Sequence, residues 1–243
     1  MRALLASDII RMWEASRDRS PLERSLSLLA GAEPETPRDT LAALSIGRRD
    51  ARLLDLRRRI FGETIQAYAE CPECAGQLEL DFLAGTIQSV EDSAPEMLEL
   101  KRDGVTVRFR LPTSADLAEA NGATGIAEAK TILLERCVVE ARKDEEPLAV
   151  ADLPAEAIEE MNRSLEAADP GAEVWLNLRC PYCEHSWRAF FDIAAFLWKE
   201  ISAQARRLLH EVDAIARAYG WREAEILGLS ALRRQAYLEL IGA

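Results

Sequence analysis

The sequence predicts a mainly helical α+β fold, and two observations lead to this fold class. Apolar residues recur every three or four positions near both ends of the 243-residue chain, which is the spacing of helices that bury one face. Two Cys-Pro-x-Cys motifs each lie between short segments in which apolar and polar residues alternate, as they do in β-strands. We therefore expect helices at both ends and small strand pairs around the cysteines.

The first 62 residues carry helical stripes. The predicted helices span residues 1–16, 21–31 and 48–62. Pro21 and Gly62 fit the ends of these segments, because proline is favoured in the first turn of a helix and glycine directly after the last. This part of the chain is therefore predicted to be helical, with a loop over residues 32–38.

Alternating segments follow the first helices. Strands are predicted at 63–70, 77–82, 97–102 and 105–111, and residues 83–96 are predicted as a loop. Asp103-Gly104 joins the last two strands and is a strong hairpin signal, because both residues tolerate a positive φ. A helix is predicted over 126–141, and the acid-rich stretch 140–173 is predicted to contain one polar helix.

The last third of the chain repeats the strand–cysteine–strand pattern and then becomes helical. Strands are predicted at 174–179 and 186–191, followed by a long helix at 192–219 and short helices at 221–227 and 230–241. Three segments result: 1–82 with the N-terminal helices and the first cysteine motif, 83–173 as an inserted α+β subdomain, and 174–243 with the second motif and the C-terminal helices.

The cysteine motifs carry the strongest chemical signal. Two residues between cysteines in a tight turn let both thiolates point at one metal ion. The two motifs supply Cys71, Cys74, Cys180 and Cys183, which is the ligand set of a closed tetrahedral zinc site. Iron accepts the same four thiolates, but nothing else in the sequence indicates electron transfer. One structural zinc ion is therefore the predicted cofactor.

The separation of the two motifs is unusual. The 105 residues 75–179 lie between them, far more than in a compact zinc ribbon. We therefore predict a split zinc ribbon with a small antiparallel sheet, into which residues 83–173 are inserted. Gly76 and His185 each stand two residues after a second cysteine, and His185 is predicted to take the turn position of Gly76.

Composition and charge exclude several functions. Acidic residues number 42 against 30 Lys and Arg, so the formal net charge is −12, which disfavours nucleic acids and anionic membranes. No apolar run approaches the ~20 residues that span a bilayer, and no signal peptide is predicted. We expect a cytoplasmic protein that can be incorporated into an assembled particle. Only two histidines are present, and no catalytic triad can be built.

Two alternative functions use the same cysteines. Cys180-Pro-Tyr-Cys183 is similar to the active-site tetrapeptide of glutaredoxins, which indicates a thiol oxidoreductase using Cys180 and Cys183. That chemistry needs a helix N-terminus after the motif, where this chain has a predicted strand. A zinc ribbon that contacts nucleic acid is the second alternative, and it is disfavoured by the net charge.

The C-terminal segment is predicted to be a helical hairpin. This hairpin, made of the predicted helices 221–227 and 230–241, packs either against the preceding long helix or against a partner protein, since short helices are marginal alone. The predicted partner-binding residues are Trp221, Ile226, Leu227, Arg233, Arg234 and Tyr237.

Several motifs together resemble a known family. They are Pro21-Leu-Glu-Arg-Ser-Leu, Gly47-Arg-Arg-Asp-Ala-Arg-Leu-Leu, Arg110-Leu-Pro-Thr-Ser-Ala-Asp-Leu, both cysteine motifs and the C-terminal run from Tyr219 to Leu238. This set resembles small zinc-ribbon-containing baseplate (hub or assembly) proteins of contractile-tailed phages and phage-tail-like contractile injection systems. The resemblance implies a non-enzymatic structural role, partners among other baseplate and hub proteins, and the four cysteines as metal ligands.

Overall fold

The computed structural model describes residues 4–87 and 95–242. Within these residues the helices are α1 (Ala6–Ser16), α2 (Pro21–Ala32), α3 (Arg38–Ala42), α4 (Ile46–Phe61), α5 (Ser114–Ala120), α6 (Ile126–Cys137), α7 (Ala155–Ala168), α8 (Ile193–Tyr219), α9 (Glu223–Leu227) and α10 (Ala231–Ile241). The strands are β1 (Thr64–Glu70), β2 (Gln77–Leu83), β3 (Leu98–Arg102), β4 (Val105–Phe109), β5 (Val138–Lys143), β6 (Glu146–Pro147), β7 (Trp175–Arg179) and β8 (Ser186–Phe190). The predicted mixture of helices with small antiparallel sheets is confirmed. The start of the first predicted helix, residues 1–3, and residues 88–94 of the predicted loop lie outside the described residues.

The chain divides into two compact units. One combines Met1–Pro37 with Ile193–Ala243, and the other is the continuous segment Arg38–Asp192. The three-segment division made from the sequence follows the order of the motifs along the chain and stays a prediction.

The first unit is a helical bundle organised by α8. The buried side chains of this helix recur every three or four residues over most of its length and are Ile193, Leu197, Ile201, Ala205, Leu208 and Ile215. α1, α2, α9 and α10 all contact α8, so this stripe is the core of the unit. Gly220 has a φ of 69° directly after α8, which explains why the helix stops there.

The second unit contains a four-stranded antiparallel sheet, β3-β4-β5-β6. Its core side chains include Val107 and Phe109 of β4, which pack with Met161 of α7. Asp103 and Gly104 have φ values of 48° and 76°, so the β3–β4 turn is the tight hairpin that the sequence predicts.

The helix predicted over 126–141 is too long. α6 ends at Cys137, and the next residues form β5, in which Val138 pairs with Phe109 of β4 and Ala141 pairs with Val107. Helical spacing continues through this stretch, but Val138 and Val139 are β-branched and favour a strand when a neighbouring strand supplies hydrogen bonds. Pairing with a distant strand therefore overrides the local pattern.

A buried carboxylate of α5 connects the residue directly after β4 with α6. Asp116 is fully buried and accepts hydrogen bonds from Arg110 at 2.6 and 2.9 Å, from Arg136 at 2.7 Å, and from the backbone and hydroxyl of Thr113. Burial alone would raise the pKa of Asp116, but these hydrogen bonds outweigh it and hold the pKa well below its usual range. The motif that begins at Arg110 is therefore built around one ion-pair network.

Candidate metal centre

Two short hairpins position the four cysteines. β1 pairs with β2 and β7 pairs with β8, each as a separate antiparallel two-stranded sheet. The last pair before the first turn is Glu70 with Gln77, and the corresponding pair in the second hairpin is Arg179 with Ser186. Each Cys-Pro-x-Cys motif therefore forms the turn of its own hairpin, with the cysteines held by strand pairing on both sides.

The four sulfur atoms lie close together. The Sγ atoms of Cys71, Cys74, Cys180 and Cys183 are all within 4.8 Å of one another. The Sγ atoms of Cys71 and Cys183 are 3.7 Å apart, and those of Cys74 and Cys180 are 3.6 Å apart. A tetrahedral ion with metal–sulfur bonds of about 2.3 Å places its sulfurs about 3.8 Å from each other. The four cysteines can therefore hold one metal ion.

The two turns have the same backbone geometry. Cys71 N–H donates to the carbonyl of Gly76 at 2.9 Å, and Cys180 N–H donates to the carbonyl of His185 at 2.8 Å. His185 thus occupies the position of Gly76, as predicted. The left-handed residues, however, are Ala75 with a φ of 55° and Glu184 with a φ of 61°. The positive φ of each turn therefore lies one residue before Gly76 and His185.

The sulfur cluster is partly enclosed by side chains. Cys71 and Cys180 are buried and pack with Leu78, while Cys74 and Cys183 are exposed. The half-buried side chains Leu80 and Trp187 complete this small core. Apolar neighbours limit the access of water to the inner pair of sulfurs, which suits a structural site.

One contact that the sequence analysis missed joins the two turns directly. The ring of Tyr182 lies on Gly76 of the other turn, so closely that a Cβ on Gly76 would be 2.6 Å from Tyr182 Cδ2. Gly76 therefore permits this close approach of the ring, and its φ is not positive. The only signal in the sequence is an aromatic residue in one motif and a glycine after the other.

The four neighbouring thiols shift one another's pKa values. Burial opposes ionisation of Cys180, but N–H groups of Cys183 and Tyr182 and the neighbouring thiols outweigh it and lower its pKa to about 7. The His185 N–H favours the Cys183 thiolate, yet partial desolvation by the cluster and the other three thiols raise its pKa to about 12. The neighbouring thiols therefore favour a thiolate at Cys180 and oppose one at Cys183, and a cation at the centre would favour both thiolates.

The C-terminal hairpin divides into buried and exposed residues. Ile226, Leu227 and Arg234 are buried, and Arg234 donates to Glu211 of α8 at 2.8 Å. Trp221 and Tyr237 are half-buried, and Arg233 is exposed. The rings of Trp221 and Tyr237 are 4.9 Å apart, edge to face. Three of the six predicted partner-binding residues thus pack the hairpin, and three reach the surface.

Comparison with known proteins decides the family. The chain matches the family described as T4 bacteriophage base plate protein over residues 33–198. The chain belongs to this baseplate family. The match includes both cysteine motifs and ends before the C-terminal hairpin. No curated protein and no solved structure matches the chain.

Family membership confirms the baseplate part of the predicted resemblance. It makes the protein a structural component of a phage tail that assembles with other baseplate proteins. Among the described residues, no helix is both long enough and apolar enough to cross a membrane.

Proposed function

We propose that this protein is a non-enzymatic structural or assembly subunit of the baseplate of a contractile tail or phage-tail-like injection system, held together by one structural zinc ion. The observation that carries the proposal is the cluster of four sulfurs within 4.8 Å in a chain of the baseplate family. Cys71, Cys74, Cys180 and Cys183 are the proposed ligands.

The donor set supports zinc and an architectural role. Four thiolates fill a tetrahedral coordination sphere, so no position is left for a water or substrate molecule. The two cysteine pairs come from hairpins separated by 105 residues, 75–179, and the ion would close this long loop. Structural zinc contributes on the order of 10 kcal/mol to folding, which is enough to hold the two hairpins in a fixed relation.

The C-terminal hairpin is proposed as one contact with other baseplate or hub proteins. Arg233 is exposed and Trp221 and Tyr237 are half-buried, so these three residues reach its surface, while Ile226, Leu227 and Arg234 hold its shape from inside. Aromatic residues and arginine are enriched at protein interfaces, which supports this assignment.

Exchange of a proposed ligand tests the metal and the function together. Cys71→Ser should abolish stoichiometric zinc and cooperative unfolding, and it should fail to restore tail assembly in a phage or injection system that lacks the gene. Cys137→Ser is the matched control, because Cys137 is a buried cysteine outside the cluster. Metal analysis distinguishes zinc from iron. A Cys71→Ser protein that is folded, free of metal and competent for assembly would contradict the proposal.

One observation favours the thiol oxidoreductase alternative, namely the tetrapeptide Cys180-Pro-Tyr-Cys183. The segment after Cys183 is β8, however, and not the helix on which that chemistry depends. Catalytic cysteines must also be free to cycle between thiol and disulfide. The alternative therefore predicts insulin-reducing activity in the purified protein, which bound zinc would prevent.

A further inference from the structure

The two hairpins present exposed faces of opposite charge. The exposed face of β7–β8 is formed by Trp175, Asn177, Arg179, Ser186, Arg188 and Phe190, and is here called the arginine face. The exposed face of β1–β2 is formed by Thr64, Gln66, Tyr68, Glu70, Gln77, Glu79, Asp81 and Leu83, and is here called the acidic face. Among these strand residues, the arginine face has two cations and no acid, and the acidic face has three acids and no cation. Two carboxylates outside the strands, those of Glu173 and Glu184, contact Trp175 and Arg179 of the arginine face.

The arginine face has the composition of a contact surface. Trp175 and Phe190 are 42% and 53% exposed although their ring centroids are only 5.4 Å apart. The guanidinium of Arg188 lies over Trp175 at 4.9 Å, and no carboxylate of the described residues forms an ion pair with it. Arg179 pairs only with exposed Glu184 at 3.2 Å, a type of contact worth at most about 1 kcal/mol. Exposed aromatic rings beside an unpaired guanidinium are typical of binding surfaces.

The acidic face holds the complementary side chains. Glu79 and Asp81 of β2 are exposed and form no ion pair with any described residue, and Leu83 at the end of the same strand is 54% exposed. Successive exposed residues of β2 are therefore acidic, acidic and apolar. They are spaced by about 7 Å, as in any strand.

Both hairpins also have open edges. In the described residues β2 pairs only with β1, and β7 pairs only with β8. An unpaired edge strand is a template for another strand, and short hairpins gain stability when a strand is added. Within one chain, both faces stay exposed, so they do not cover each other.

We propose that β2 of one copy of this protein adds antiparallel to β7 of a second copy. In the register that the charges select, Leu83 lies opposite Trp175, Asp81 lies opposite Asn177, and Glu79 lies opposite Arg179. Arg188 is the strand partner of Asn177 and leans over β7, so it lies within reach of Asp81. Leu83 then meets an aromatic ring and Glu79 an arginine, while Asp81 lies opposite Asn177 and has Arg188 as its diagonal partner.

The contact uses different surfaces on the two copies. Such a heterologous contact builds a ring when the rotation closes and an open chain when it does not. One strand pair buries a small area, so a single contact is weak and is strengthened when several copies close into a ring. Nucleic acid is a poorer occupant, because two arginines provide few phosphate contacts in a chain of net charge −12. The inference goes beyond the proposed function and does not depend on it.

Charge reversal tests the contact without touching the core. One variant carries Arg179→Glu and Arg188→Glu, the other carries Glu79→Lys and Asp81→Lys, and all four sites are exposed. The metal content and circular dichroism of both variants should equal those of the wild type. In sedimentation equilibrium up to millimolar concentration, the wild type should associate, less so at high salt, and each variant alone should associate at least tenfold more weakly. An equimolar mixture of the two variants should regain association, because every contact between unlike variants joins opposite charges, either the two reversed faces or the two unchanged ones.

Several results would overturn the proposal. The wild type could stay monomeric at millimolar concentration, both variants could associate as strongly as the wild type, or the mixture of the two variants could fail to associate. If the wild type stays monomeric but the Arg179→Glu, Arg188→Glu variant is lost from purified baseplates, the arginine face binds a different subunit. A wild type that binds single-stranded DNA through Arg179 and Arg188 would assign it to nucleic acid. None of these results bears on the metal or on the baseplate role.

Discussion

The Asp169 carboxylate accepts a hydrogen bond from the backbone N–H of Gly47 at 2.9 Å, between residues 122 positions apart in the chain. Gly47 lies in the first turn of α4, where N–H groups have no partner inside the helix. Ser45 caps the same turn by accepting from the N–H of Arg48. Asp169 is 3% exposed and follows α7, so a buried carboxylate ties the acid-rich segment to the start of α4.

Alanine at Gly47 should therefore destabilise the protein. A Cβ at this position would collide with Asp169 Oδ1 and lie 2.9 Å from the backbone nitrogen of Ala172. The collision would displace the carboxylate from the helix terminus, and we expect a loss of about 2–3 kcal/mol in the free energy of unfolding by urea. Gly85→Ala is the matched control, since a Cβ there meets no atom within 4 Å. Equal stability of the two variants would refute this account of Gly47.

Replacement of Asp116 by Asn should destabilise the second unit. The change leaves the guanidinium groups of Arg110 and Arg136 without their carboxylate. Both arginines are partly exposed, so the expected loss is about 2–3 kcal/mol and not the larger value for a fully buried pair. Glu99→Gln provides a control at an exposed carboxylate, and it should change the urea midpoint little.

The same carboxylate predicts how stability depends on pH. The pKa of Asp116 in the folded protein is held below its usual range, whereas the unfolded chain takes up the proton near pH 4. Its contribution is therefore complete above about pH 5 and is lost progressively as the pH falls below 4. The difference in unfolding free energy between wild type and Asp116→Asn should shrink over this range. Loss of metal at low pH affects both proteins equally, so its effect cancels in this difference. A difference that stays constant down to pH 3 would contradict the prediction.

Local signals in the sequence predict much of this fold. Alternation around the cysteines, the Asp103-Gly104 turn and the glycine after α8 are decided by neighbouring residues, and the structure agrees with them. Contacts between distant residues are not visible in such patterns. The end of α6 at Cys137, the Gly47–Asp169 hydrogen bond and the packing of Tyr182 on Gly76 all depend on partners far along the chain. Two cysteine motifs were enough to predict a shared cluster, because a metal site requires four ligands together.

Glycine at Glu184 should stabilise the second cysteine turn. Glu184 has a φ of 61°, a conformation that costs a residue with a side chain about 1 kcal/mol or more. Glycine removes this cost but adds backbone entropy to the unfolded chain, and the exposed pair with Arg179 is worth little. The net gain should be about 0.5–1 kcal/mol, measured by thermal unfolding of the metal-loaded protein. Glu73→Gly, in the corresponding turn but at a residue without a positive φ, should give no gain. Any stabilisation by Glu73→Gly equal to that by Glu184→Gly would show that the φ of Glu184 is not the cause.

Substitutions at two adjacent arginines of α10 should have different effects, one on the stability of the protein and the other on partner binding. Arg234 is 5% exposed, and it donates to Glu211 at 2.8 Å and to the carbonyl of Leu229 at 2.6 Å. Arg234→Gln leaves the nearly buried Glu211 carboxylate with only the exposed Arg207 as a cationic partner, so the free energy of unfolding should fall by about 2–3 kcal/mol. Arg233 is exposed and has no ion pair with any described residue, so Arg233→Gln should change stability by less than about 0.5 kcal/mol.

If the hairpin binds a partner as proposed, Arg233→Gln should reduce retention of the subunit in purified baseplates while its urea midpoint stays that of the wild type. The hairpin would serve folding alone if two results were found. The Arg233→Gln subunit would be retained in purified baseplates as well as the wild type, and the Arg234→Gln subunit would be lost only as far as its lower stability explains.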